Sequence, residues 1–292
     1  MKDFEYAVPK SIDEAIGTLS RRTSGVQFLA GGTDIIVQLR EGRRQADLVL
    51  DLKKIPELAG LQWRPDGGLL LGAAVPCARL HRDEKVRASY PALADAARII
   101  GGWQIQSRAS VGGNLCNASP AADSIPALIA LGATCQIVGP SGQRTLAVED
   151  FCVGPSRNAL ELGEFLVALE LPPPAQFASS RYIRFIPRNE MDIAVVGVGV
   201  WVRLDAARDT IEEARVGLAA VAPTPLKVET AAAALRGKPP TEESFVAAAE
   251  LAKEAARPIS DMRAPSSYRK HLVAVLTRRA LATAVERASS AT

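Results

Sequence analysis

The chain has 292 residues, 48% hydrophobic and 23% charged, enough for roughly two globular domains with sizeable cores. A formal net charge of +3 and only 5% aromatic residues argue against a nucleic-acid binder, which needs a basic face and rings for base stacking. No apolar run reaches the length of a membrane span, and the start Met1-Lys2-Asp3-Phe4-Glu5 lacks the apolar core of a secretory signal.

Ser11-Ile12-Asp13-Glu14 reads as a capping box, and Ile12, Ala15, Ile16 and Leu19 continue at helical spacing. Val26–Ala30 reads as a buried strand running into Gly31-Gly32. Thr33 is placed to cap a helix over Asp34–Arg40, and Asp47–Leu52 reads as a further strand, so the opening resembles a βαβ unit. After a break at Lys53-Lys54-Ile55-Pro56, the pattern predicts a strand over Gly67–Ala74 and helices around Ala78–His81 and Pro91–Ile100. A second glycine turn follows at Ala109–Asn114, then a helix over Ser124–Leu131. Cys135–Val138 and Thr145–Val148 flank Gly139-Pro140-Ser141-Gly142, a hairpin signal, and Phe165–Leu171 reads as a strand. Pro172-Pro173-Pro174 is a stiff linker. Beyond it, strands over Tyr182–Ile186, Ile193–Leu204 and Ala214–Val221 precede alanine-rich helices around Glu229–Leu235, Glu242–Ala256 and Ser267–Ala288. Strands first and helices after predict an α+β domain with a small antiparallel sheet.

Common site motifs are missing. Gly197-Val198-Gly199 lies inside an apolar strand-like run, with Val202 where a dinucleotide fingerprint needs its third glycine. There is no P-loop and no nucleophile elbow. Cys77, Cys116, Cys135 and Cys152 form no C-x-x-C pair, and His81 and His271 have no ligand-spaced partner, so no metal site is expected. Free thiols fit a reducing, cytoplasmic location. The two glycine turns survive this filter. Glycine lets backbone N–H groups come close to a phosphate, and a helix N-terminus adds positive potential, although a glycine pair at a strand end also serves as a plain tight turn. Near them, Thr33 and Ser110 offer hydroxyls. Asp123 reads either as an acceptor for ribose or ribityl hydroxyls or as the N-cap of the following helix, and the two roles are compatible.

Three segments taken together carry a family resemblance: Leu29-Ala-Gly-Gly-Thr-Asp34, Ser110-Val-Gly-Gly-Asn114 with Asn117 to Asp123, and Arg184-Phe-Ile-Pro-Arg-Asn-Glu-Met-Asp-Ile-Ala194. They resemble the FAD-binding medium subunit of the molybdenum hydroxylases, the family of xanthine dehydrogenase, carbon monoxide dehydrogenase and 4-hydroxybenzoyl-CoA reductase. The likeness spans almost the whole chain. It implies an α+β fold: a two-subdomain FAD-binding domain of the vanillyl-alcohol oxidase (PCMH) type over residues 1–174, divided near 54, then a C-terminal domain over 175–292.

The same resemblance implies an oxidoreductase subunit with FAD on this chain and no catalytic acid or base of its own. Leu29, Ala30, Gly31, Gly32, Thr33, Asp34, Ile35 and Ile36 would wrap the pyrophosphate. Ser110, Gly112, Gly113 and Asn114 would form the opposite wall, with Asn117 nearby, and Asp123 would hold ribityl or ribose hydroxyls. Ile100 and Cys116 would lie near the flavin ring, Leu166 would reach it from the strand before the linker, and Arg184 would hold a phosphate or the flavin edge. For Ile100, Leu166 and Arg184, core packing or a surface charge is nearly as good a reading. A large molybdenum-cofactor subunit and a small subunit with [2Fe–2S] clusters are implied as partners, as a dimer of heterotrimers. Electrons would leave to NAD+, oxygen or a quinone. Thr33-Asp34 stands where carbon monoxide dehydrogenase relatives carry His-Ser, and the cysteine-bearing insertion of the benzoyl-CoA branch is missing; both departures argue against those substrates. A self-contained flavin oxidase and a non-catalytic scaffold subunit are the competing readings.

Overall fold

The computed structural model describes residues 2–22, 24–188 and 191–290. Near the N-terminus half of the capping box forms: the Ser11 hydroxyl accepts the Glu14 N–H at 3.1 Å, while the Glu14 carboxylate takes the N–H of Lys10, one residue before the N-cap, at 2.8 Å. Strands β1 (Glu5–Ala7), β2 (Val26–Leu29) and β3 (Leu48–Asp51) make a parallel sheet of order β1-β3-β2. The central β3 is buried on both faces. Leu48 and Leu50 pack with Ala15 and Leu19 on one side, and Val49 with Leu29 and Leu39 on the other, as period-two alternation requires. One expectation is corrected here. The second helix runs Ile35–Arg40 with Asp34, not Thr33, at the N-cap, and neither side chain makes a capping bond. Gly32, at φ +80°, turns the chain, and the first helical bond then runs from the Ile36 N–H to the Gly32 carbonyl, so Thr33 lies inside the turn.

The second sheet is antiparallel. It holds β4 (Leu61–Trp63), β5 (Leu69–Gly72), β6 (Thr134–Gly139) and β7 (Gly142–Ala147). After the small β8 (Cys152–Gly154) and β9 (Arg157–Asn158) hairpin, β10 (Phe165–Leu171) returns to its centre, giving the order β4-β5-β10-β6-β7. The predicted strand over 67–74 ends at Gly72: the Ala73 N–H still reaches Val167 on the neighbouring strand, but the Ala74 N–H turns away to the Leu58 carbonyl. The predicted hairpin is tighter than its hydrophobic pattern: Gly139 and Gly142 pair directly around Pro140-Ser141. The second glycine pair is not a loop turn either. It lies in the first turn of the helix Val111–Cys116, whose N-cap is Ser110.

The C-terminal sheet has the order β11-β12-β13-β14, from β11 (Ala178–Phe185), β12 (Val196–Leu204), β13 (Ile211–Ala219) and β14 (Leu226–Lys227). Helices Glu229–Leu235, Glu242–Ala255 and Ser266–Ser290 cover one face and share its core. Against this sheet sits the helix Ser124–Leu131, all eight of whose residues are buried. Gly199 and Gly217, opposite each other on β12 and β13, let it approach: a Cβ on Gly199 would come 2.5 Å from the Pro126 carbonyl carbon, and one on Gly217 2.7 Å from its oxygen. We expect Gly199→Ala to destabilise the chain by ~1–3 kcal/mol in thermal unfolding, since backbone cannot yield as a side-chain tip would. An unchanged melting temperature would contradict this close approach.

Among the described residues, no helix is long and apolar enough to cross a membrane, and no group of three or more His, Cys, Asp or Glu side chains is placed to hold a metal ion.

Candidate functional site

A cavity of about 560 Å³ lies where the first sheet faces the second. One wall is the turn after β2, Ala30 to Ile35; the other is the start of the helix Val111–Cys116 with Ser110, Gly112, Gly113 and Asn114. The walls nearly touch at Gly31, where a Cβ would lie 2.7 Å from the Arg108 carbonyl carbon. Gly112 is tight for a different reason: its Cβ would meet the Ala73 carbonyl oxygen at 2.5 Å, so it seats the helix on the sheet. Across the gap, the Asn117 side-chain amide donates to Asp34 Oδ1 at 3.2 Å and accepts from Gln38 Nε2 at 3.1 Å, pinning the two walls together.

Both walls offer unused N–H groups. Among the described residues, those of Gly32, Thr33 and Asp34 have no acceptor. On the other wall, Ser110 takes the Gly113 N–H with its hydroxyl and the Asn114 N–H with its carbonyl. That leaves Gly112 on the lining, whose amide at the second helix position has no intrahelical partner; Val111 is buried off the lining, its N–H turned to the Val75 carbonyl in the bridge between Pro76 and Ser110. Such donors on both walls, facing one cavity, make a cradle for a polyanion.

At one end of the cavity sits Asp123, 7% exposed. Its Oδ1 accepts from the Tyr182 hydroxyl at 2.8 Å and its Oδ2 from the Arg184 guanidinium at 2.6 Å. Burial pushes its pKa up to about 6, against the pull of Arg184 and Tyr182. Burial also drives the Tyr182 hydroxyl well above its ordinary value, with Asp123 adding to the shift, so it stays a donor. The expectation that Asp123 caps the following helix is corrected: its carboxylate makes no cap bond, and the side-chain oxygen of Asn114 receives the Ser124 N–H and hydroxyl instead. The sequence pair Gly197-Val198-Gly199 acquires its meaning here. A Cβ at Gly197 would meet the Tyr182 hydroxyl at 2.6 Å, so this glycine makes room for the ring that holds Asp123.

Most of the expected residues line this one cavity: Ala30 through Ile35, Ile100, Ser110, Gly112, Gly113, Asn114, Cys116, Asn117, Asp123, Leu166 and Arg184. Leu29 and Ile36 do not. Leu29 packs inward with Leu39, Ala46 and Val49, and Ile36 is 51% exposed. Phe165 and Leu166, which pack in different cores on β10 just before a bulge between Leu166 and Ala168, both reach the lining. Cys116 is no nucleophile, because burial pushes its thiol up to about 12. Sequence reasoning missed Gln38, Arg44, Ala73, Ala74, Gly101, Ile105 and the lining role of Met191 to Ala194. Gln38 was findable, one helical turn from Asp34, and Gly101 belongs to one of the four glycine pairs.

Against known proteins, residues 2–174 match the FAD-binding domain of molybdopterin dehydrogenases, and residues 181–284 match the C-terminal domain of the carbon monoxide dehydrogenase flavoprotein. The chain belongs to the FAD-binding flavoprotein subunits of the molybdenum hydroxylases. It is 31% identical over 287 residues to the xanthine dehydrogenase FAD-binding subunit of Escherichia coli O157:H7, covering 98% of this chain and 97% of that one. To the carbon monoxide dehydrogenase medium chain of Hydrogenophaga pseudoflava it is 32% identical over 279 residues, 95% of this chain and 96% of the relative. Among solved structures, carbon monoxide dehydrogenase from H. pseudoflava superposes with a TM-score of 0.92 at 31% identity, over 98% of each chain. Quinoline 2-oxidoreductase from Pseudomonas putida 86 gives 0.90 at 28%, over 99% of each. This flavoprotein subunit is therefore part of an oxidoreductase whose other chains are a large and a small subunit, and neither a self-contained oxidase nor a scaffold is favoured.

Proposed function

We propose that FAD lies in this cavity with its pyrophosphate between the unpaired amides of the two walls, and that the subunit is the electron exit of a heteromeric molybdenum hydroxylase. The observation that carries this reading is the pairing of those donors, Gly32 to Asp34 on one wall and Gly112 at the helix start on the other, across a gap narrowed by Gly31. Asp123, ionised against Arg184, keeps lone pairs free to accept from ribityl or ribose hydroxyls. Ile100, Cys116 and Leu166 supply apolar surface for the ring, with Leu29 and Ile36 as supports behind the first wall. When bound, the flavin supplies the redox chemistry, taking electrons from iron–sulfur clusters of the small subunit and giving them to an external acceptor. This chain's own residues bind, orient and shield.

We place the boundary between flavin and C-terminal domains at the prolines, residues 1–174 and 175–292, with a subdomain division near 54. The assembly we propose is a cytoplasmic dimer of heterotrimers, with the substrate chosen on the large, molybdenum-bearing chain and NAD+, oxygen or a quinone as the acceptor. The test is to isolate the native complex and measure flavin, molybdenum and iron on one sample while identifying its chains by mass spectrometry. The expected result is FAD on this chain together with two further subunits. A complex holding neither flavin nor molybdenum would end this reading.

A further inference from the structure

A second cavity, of about 790 Å³, lies apart from the flavin site, where helices Cys77–Arg82, Glu84–Ser89 and Pro91–Ile99 meet the start of β11 and the end of the helix Ser266–Ser290. Its charge is one-sided. Arg82, Arg87, Arg98 and Arg287 line it, against the single carboxylate of Asp95. That carboxylate is already engaged, by Arg181 at 2.8 Å and Arg287 at 3.0 Å. Among the described residues, Arg82 and Arg98 have no carboxylate within 4.0 Å.

The groove also carries an aromatic platform. Trp103 is 64% exposed, an unusual state for the largest apolar ring. His81 stands edge-on to it, with ring centres 6.2 Å apart, and the Arg82 guanidinium lies 5.8 Å from its centre. A plain anion would use the guanidinium groups and leave the indole without a role. A partner protein's acidic surface would meet a flat basic patch more readily than a concave one. A ligand with both phosphates and a planar base uses the free guanidinium groups and the indole together.

We propose that this groove binds a nucleotide, with its phosphates on Arg82 and Arg98 and its base on Trp103. The assignment stands apart from the flavin reading and survives if that reading fails. The platform is nevertheless close to the flavin cavity in the chain: Trp103 opens the short helix Trp103–Gln106, while Ile100, Gly101 and Ile105 line the other site.

The test is titration of the intact, flavin-loaded complex with ADP, with NAD+ and with inorganic phosphate, reading tryptophan fluorescence and binding heat. ADP is expected to quench the emission and bind. NAD+ binding with the same quench would also support the proposal, extending it to dinucleotides. Arg82→Ser and Arg98→Ser should each weaken ADP by ~tenfold or more, as loss of a charge-assisted hydrogen bond implies, and Trp103→Leu should abolish the quench. These side chains are exposed, so the variants are expected to fold. Equal binding of inorganic phosphate would reduce the groove to a simple anion site and overturn the proposal. So would an unaltered ADP affinity in the arginine variants, release of flavin by ADP, or no binding to the intact complex.

Discussion

Gly31→Ala is expected to give a folded subunit that purifies with ~tenfold or more less flavin. The added methyl has nowhere to go. On one side is the backbone of Arg108 and Ala109, with the Arg108 carbonyl carbon 2.7 Å away and the Ala109 Cα 2.9 Å away, and neither is a side-chain tip that can swing aside. Overpacking of this kind costs ~1–3 kcal/mol, and relief comes by moving the turn after β2 away from residues 108–109. That motion separates the amides of the two walls that would share the pyrophosphate, so the cost falls on binding; each 1.4 kcal/mol is about tenfold in affinity. Gly17→Ala, away from the cavity, is the control: nothing lies within 4 Å of its Cβ. The measurement is flavin absorbance per protein after purification, with thermal unfolding to confirm folding. Full flavin content in Gly31→Ala would rule out a pyrophosphate held between these walls.

The second large effect is expected from Arg184→Leu. Arg184 and Asp123 form an ion pair with both side chains almost out of solvent. Removing the cation leaves a buried carboxylate with only the Tyr182 hydroxyl as partner, which costs ~3–5 kcal/mol. For a chain of this size that is a fall of roughly 10 °C in melting temperature. The pH dependence identifies the cause. In the native fold Asp123 is already raised to about 6, above its ordinary 3.8, and without Arg184 it rises further. A carboxyl whose folded pKa is raised is most favourable to folding at low pH, and that contribution is lost as pH rises through the folded value. The penalty of Arg184→Leu should therefore be small near pH 5 and grow above pH 6. Asp123→Asn added to Arg184→Leu should recover much of the loss at pH 8. A penalty that is flat with pH, with no recovery in the double variant, would mean that the buried charge is not the source.

What the sequence made legible follows from which interactions are local. The N-cap at Ser11, the alternation of β3 and the turn at Pro140-Ser141 are decided within a few residues, and each forms where the pattern places it. The glycine pairs were also readable as close approaches. What they approach was not: Gly31 meets Arg108, Gly112 meets Ala73 and Gly199 meets Pro126, and no periodicity encodes such pairings. The same limit explains Thr33 and Asp123. A residue type suited to capping was taken at face value, while the cap at Ser124 comes from Asn114, ten residues away, and Asp123 is held by Tyr182, 59 residues on. Family resemblance supplied the cavity's long-range assembly; local propensity supplied its parts.

The proline run after β10 invites a cut, since each side has its own sheet and core. The residues around Asp123 make that cut unusable. A fragment ending at Pro174 would retain the glycine walls yet lose Tyr182, Arg184 and the Met191–Ala194 segment, all of which complete the acidic end of the cavity. It would also strip the cover from the helix Ser124–Leu131, uncovering apolar surface beside that end. The chain's second half thus acts as the keystone of a site whose recognisable motifs nearly all lie in the first, and domain swaps among relatives would have to carry the helix and its supporting sheet together.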